Sequence, residues 1–206
     1  MRTLTVGLVG PSAAGKSALA DALSKLLPST IALAVVSADA HYRPLHHCPI
    51  CTHEIRWHSG SMPDAFRERG TADLNHPAAV DWEACARALD AVVDEARGTT
   101  NVDRTTVVLV EGLLLLANDP GANALRERVT AWALLADDPH DAACQRELWT
   151  RKWTRSGHLG KLSYRDRGVS EEDYEAYWRD YVAPSWALHG LGRAADAAPG
   201  AIQLDC

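Results

Sequence analysis

Gly10-Pro11-Ser12-Ala13-Ala14-Gly15-Lys16-Ser17 fits G-x-x-x-x-G-K-[ST], the pattern of a phosphate-binding loop. Its flanks match that reading. Residues 3–9, Thr-Leu-Thr-Val-Gly-Leu-Val, read as a buried strand, and residues 16–27 place leucines at 19, 23, 26 and 27, as on one face of a helix. Glycines at 10 and 15 let the backbone curl so that successive N–H groups converge on an anion, and the following helix adds its positive end. Lys16 then reaches the β/γ-phosphates, and Ser17 is the expected Mg²⁺ ligand. The alternative is a glycine-containing turn that binds nothing.

Pro28 ends the helix, and Ile31–Ser37 reads as a second strand. Strand ends in an open parallel sheet open onto one crevice, so Asp39, just past Ser37, is expected beside the loop. Phosphorylating an alcohol calls for a carboxylate that orients the attacking oxygen and takes its proton. Asp39 is the candidate, and capping a short helix from Ala40 is the competing role. Residues 105–110 form a third strand running into Glu111-Gly112, and a strand-end carboxylate is how such proteins supply a second acidic group to Mg²⁺ or its waters. Glu111 merely ending the strand is the alternative.

Helices are predicted over 78–97, 137–153 and 171–182, with further strands over 131–136 and 201–204. The last helix carries a stripe of Tyr174, Tyr177, Trp178 and Tyr181, which reads as core. Residues 45–71 lose periodicity and gather His, Pro, Gly and charge, as expected of a mobile substrate-side loop. His46-His47-Cys48-Pro49-Ile50-Cys51-Thr52-His53 is half of a zinc pattern, lacking a second C-x-x-C, with His58 as a further recruit. Seven Lys or Arg and two acids lie between 146 and 167, either a solvated helix face or a lid that neutralises phosphate charge, with Gly157 and Gly160 as hinges.

The expectation is one α/β domain over 1–206, a doubly wound, mainly parallel five-stranded sheet with helices on both faces and an Arg-rich lid. Its net charge of −6 and pI near 5.8 argue against general nucleic-acid affinity and favour small-molecule partners. The odd count of five cysteines, the absence of a signal-peptide pattern and the absence of a bilayer-length apolar run predict a reducing, cytoplasmic setting away from membranes. Neither N/T-K-x-D nor D-x-x-G occurs, which speaks against a GTPase switch.

Taken together, the loop, Val36 to Pro44, Asn75-His76-Pro77-Ala78-Ala79-Val80-Asp81, Val110-Glu111-Gly112, the Arg-rich stretch, Arg167-Gly168 and Tyr181-Val182-Ala183-Pro184 resemble the uridine kinase and nicotinamide riboside kinase group of P-loop kinases. The resemblance implies ATP- and Mg²⁺-dependent phosphorylation of a ribonucleoside 5′-hydroxyl, with Asp39 as base and Glu111 beside the metal. It implies ATP contacts from Gly10, Ser12, Ala13, Ala14, Gly15, Lys16, Ser17 and Arg146. It also implies substrate contacts from Asp39, Tyr42, Asn75 and Arg151. Asn75 stands where these kinases commonly carry an aspartate that grips the ribose hydroxyls. Within the kinase reading, another small alcohol such as pantothenate or a sugar is the alternative acceptor, and a non-kinase NTPase is the alternative class.

Overall fold

The computed structural model describes residues 2–67, 70–98, 104–136, 141–155, 162–191, 198 and 200–205. Five strands, β1 (Arg2–Val9), β2 (Ile31–Ser37), β3 (Thr105–Gly112), β4 (Ala131–Ala136) and β5 (Ile202–Asp205), form one sheet in the order β2-β3-β1-β4-β5. Every pairing is parallel. The helices are α1 (Lys16–Leu26), α2 (Asp64–Arg67), α3 (Trp82–Gly98), α4 (Pro120–Arg126), α5 (Ala142–Thr154), α6 (Glu171–Tyr177) and α7 (Ala183–Trp186).

Strand periodicity explains why both faces are covered. In β3, Val108 and Val110 face a core that includes Val36, Trp82 and Leu89, while Leu109 faces Leu8, Leu148 and Tyr174 on the other side. Leu26, the last residue of α1, departs from the predicted buried face and is 79% exposed.

Helix α3 starts four residues later than predicted. Pro77–Ala79 forms a separate 3₁₀ turn, held where the Trp82 indole donates to the Pro77 carbonyl at 2.9 Å. The Asp81 carboxylate then accepts from the Ala84 N–H at 3.0 Å, so Asp81 caps the helix. Helix α5 is capped by Asp141, which accepts from Ala143 N–H at 2.8 Å, and the earlier part of its predicted span, 137–140, lies outside the described residues. The predicted helix over 171–182 becomes α6 followed by a π-helical turn, Trp178–Val182.

Residues 45–67, expected as a mobile loop, lie docked on α6 and the turn after it. Trp57 packs on Phe66 and stacks with Tyr177, at ring separations of 5.0 and 6.4 Å. The Arg56 and Ser59 N–H groups donate to Asp180 and Asp173, each at 2.9 Å. No helix among the described residues is long and apolar enough to cross a membrane.

Candidate active site

Three chain segments leave the sheet at one edge, and the strand register puts them side by side. Leu8 of β1 and Ser37 of β2 both pair with Glu111 of β3. The 10–17 loop therefore leaves β1 beside Glu111, and Asp39 lies two residues beyond Ser37. Sheet order changes direction here, since β1 leads through α1 to β2 on one side while β4 lies on the other. Ligands of open α/β sheets collect at such a switch point.

The loop's backbone is built for an anion. A Cβ on Gly10 would come within 2.8 Å of the Leu135 Cβ, so only glycine lets the loop pass so close to β4. Ala13 and Gly15 have φ of 68° and 93°, and a left-handed alanine is a conformation that the surrounding fold must impose. Gly15 occupies the N-cap of α1 and contributes no side-chain cap, which leaves the first-turn N–H donors of this helix without a side-chain acceptor there. The Lys16 ammonium donates to the Gly10 and Pro11 carbonyls at 2.9 and 3.0 Å, holding it over the loop.

The Ser17 hydroxyl donates to Glu111, with 3.1 and 3.2 Å to the two carboxylate oxygens. Glu111 is only 7% exposed, and no ion pair is found for it among the described residues. A buried carboxylate without a cation is unfavourable in isolation, and a hydroxyl and a carboxylate offer the hard oxygen donors that Mg²⁺ prefers. Ser17 and Glu111 thus fit a divalent cation.

Asp39 sits inside a 3₁₀ turn, Ala38–His41, whose cap position is Ser37. The competing capping role for Asp39 therefore has no place in this geometry. Together with Ser12, Ala13, Gly15, Lys16 and Ser17, Asp39 lines a cavity of about 550 Å³. Tyr42 and Asn75 line the same cavity. The Arg43 N–H donates to Ala79 O and the Asp81 N–H to His41 O, both at 2.8 Å, and this backbone pairing fixes the segment carrying Tyr42. Gly10, Ala14 and Glu111 do not line this cavity, and Glu111 accepts from Ser17, which does.

The basic side chains divide. Arg151, beside its ion-pair partner Glu147, lines the cavity. Arg146 does not. It faces a separate groove with Trp149, Glu171 and Glu175, because positions 146 and 151 lie five residues apart and so on different faces of α5. Lys152 and Arg155, expected only as members of the basic run, also line the cavity, and the i, i+4 relation of Arg155 to Arg151 puts those two on one side of the helix. Arg167, counted in the lid run, instead donates to the Ala65 carbonyl at 2.9 Å and lies over the Tyr164 ring. Gly157 and Gly160, the expected hinges, lie outside the described residues.

The aromatic stripe is core and wall at once. Tyr174, Tyr177 and Trp178 are buried, and their remaining edges line the cavity with Leu74, Leu113 and Val182. The half-zinc segment does not gather into a site, since among the described residues no three His, Cys, Asp or Glu converge as metal ligands. The Cys48 thiol faces the Arg43 and Pro44 carbonyls, while His53 lies against Tyr181 and Ser185. Burial pushes the Cys48 and Cys51 thiols up, further from the thiolate that binds metal.

This combination defines an α/β protein of the P-loop kinase fold. No family description and no curated protein matches the chain. Among solved structures it is similar to a Silicibacter sp. protein described as a candidate fructose transport system kinase, with a TM-score of 0.59 and 19% identity over 98% of this chain and 90% of that one. It also matches a candidate uridine kinase from Bacillus stearothermophilus, with a TM-score of 0.40 and 19% identity over 67% of this chain and 73% of that one. A sugar kinase from Janibacter sp. gives a TM-score of 0.42 and 16% identity over 99% and 84%. The first of these shows a shared fold along nearly the whole chain.

Proposed function

We propose that this protein is an ATP- and Mg²⁺-dependent kinase that transfers the γ-phosphoryl group to the 5′-hydroxyl of a ribonucleoside. The observation that carries the reading is that Lys16 and Ser17 share one cavity with the Asp39 carboxylate. Loop amides and Lys16 hold the β- and γ-phosphates. Ser17 and Glu111 would hold Mg²⁺, which would supply neutralisation of phosphate charge. Asp39 accepts the proton of the acceptor hydroxyl as its oxygen bonds to the γ-phosphorus. The bond from that phosphorus to the β,γ-bridging oxygen breaks, and ADP leaves.

The acceptor side suits a ligand with a flat, partly apolar ring. Tyr42, Leu74, Asn75, Leu113 and Val182 contribute no charge to the cavity. A sugar is the second reading, favoured by the fructose kinase description of the Silicibacter protein.

Uridine, cytidine, nicotinamide riboside, fructose and pantothenate, each with ATP and Mg²⁺, separate these readings. The expected product is a nucleoside 5′-monophosphate. A sugar phosphate alone would move the assignment to the second reading. ATP hydrolysis at equal rates with and without every acceptor would make the protein a non-kinase NTPase.

The division of arginines predicts unequal effects in the same assay. Arg155→Ala is expected to lower kcat by about 10–100-fold, since a cation facing the transferring group is removed. Arg146→Ala is expected to leave kcat/KM within about twofold, because its guanidinium faces the other groove. Equal losses in the two variants would contradict the assignment.

A further inference from the structure

Tyr181 and Asp73 lie just outside the cavity, and neither has a role in the chemistry above. Both are buried, at 4% and 7% exposure, and the Tyr181 hydroxyl donates to Asp73 Oδ1 at 2.8 Å. The Asn75 backbone N–H donates to both, at 3.0 Å to Asp73 Oδ1 and 3.1 Å to the Tyr181 oxygen. The Asp73 N–H in turn donates to the Pro49 carbonyl at 2.7 Å, and the Cys51 N–H to Thr71 at 2.6 Å. Tyr181 thereby ties the 71–75 segment, and the 49–51 segment paired with it, to the C-terminal helical stretch.

The π-helical turn explains how one stretch serves two surfaces. Trp178 and Val182 line the cavity, whereas Tyr181, in the same turn, faces Asp73. Such wide turns occur disproportionately at functional positions. Burial, with Tyr177 and Asp73 nearby, pushes the Tyr181 hydroxyl pKa far up, so it remains a donor across the working pH range. What the tie holds in place matters to the ligand. Leu74 and Asn75 form part of the cavity wall, and the buried Asn75 Nδ2 has no hydrogen-bond partner among the described residues.

We propose that Tyr181 and Asp73 form a positioning latch that sets the acceptor end of the cavity, governing affinity for the alcohol rather than for ATP. The latch holds the Asn75 main chain, and with it the part of the cavity wall that Leu74 and Asn75 form. The selectivity clause rests on the kinase reading, whereas the mechanical clause does not.

Two measurements test the latch on the full-length protein. Hydrogen exchange of unliganded wild type and Tyr181→Phe needs no substrate. The expected result is loss of protection in residues 70–76, with residues 7–20 unchanged. Unchanged exchange in 70–76 overturns the latch. Steady-state kinetics with uridine, cytidine, nicotinamide riboside and fructose form the second measurement. Tyr181→Phe should raise acceptor KM by at least about tenfold, with kcat and the KM for ATP within about twofold. Asp73→Asn, which keeps an oxygen to accept both bonds, should stay within about threefold of wild type in acceptor KM, whereas Asp73→Ala should match Tyr181→Phe. A drop in kcat with acceptor KM unchanged, or failure of Asp73→Asn to rescue, overturns the selectivity clause. If wild type phosphorylates none of the acceptors, the kinase reading and that clause fall together, and hydrogen exchange alone decides the mechanical clause.

Discussion

Asp39→Asn will lower turnover by about 10²–10⁴-fold, the usual contribution of a positioned general base, while affinity for a non-hydrolysable ATP analogue stays within about twofold. The asymmetry follows from where Asp39 sits. It leaves β2 on its own 3₁₀ turn, separate from the loop that carries Lys16, and meets that loop only across the cavity. Asparagine keeps the size and one acceptor oxygen but cannot take up the hydroxyl proton. Steady-state kinetics with the best acceptor, paired with analogue titration, checks both halves. Turnover within a few-fold of wild type would remove Asp39 from the chemistry.

The second large effect belongs to Lys16. Lys16→Ala is expected to reduce kcat/KM for ATP by about 10²–10³-fold or more, because a cation on the transferring phosphates acts most strongly as charge shifts towards the leaving oxygen. The lysine also ties the loop to itself through the Gly10 and Pro11 carbonyls, so part of a loss could be structural. Thermal melting of the same variant separates the two contributions. A melting temperature within a few degrees of wild type with activity lost assigns the effect to phosphate handling. Equal activity would mean that the loop does not hold the phosphates that react.

Much of this arrangement was legible in the chain because its strongest signals are local. The loop pattern with strand and helix on either side is contiguous, and the apolar runs at 31–37 and 105–110 are too short and too β-branched for helices. Parallel strands end at one edge, so the positions of Asp39 and Glu111 just past or at strand ends already imply that they lie near the loop. The less legible features depend on which face of a helix meets the cavity. Arg146 and Arg151 look equivalent in a run of basic residues, and only the orientation of α5 separates them. Tyr174, Tyr177 and Trp178 read as core, which they are, but burial does not tell from sequence that one edge also borders a ligand. The His and Cys segment, half of a zinc pattern with no second C-x-x-C, brings no three metal-ligating side chains together among the described residues, in line with its incomplete spacing. Residues 45–67 lacked periodicity because they are held by aromatic contacts and side-chain carboxylates distant in sequence, a kind of order that leaves no repeat to read.

The most direct test of the central claim is a crystal structure of the protein with ADP, Mg²⁺, fluoroaluminate and the preferred nucleoside. The account predicts the fluoroaluminate between Lys16 and the nucleoside 5′-oxygen, with the Asp39 carboxylate within about 2.6–3.2 Å of that oxygen. A nucleoside bound away from Asp39, or a phosphate mimic bound away from residues 10–17, would contradict it.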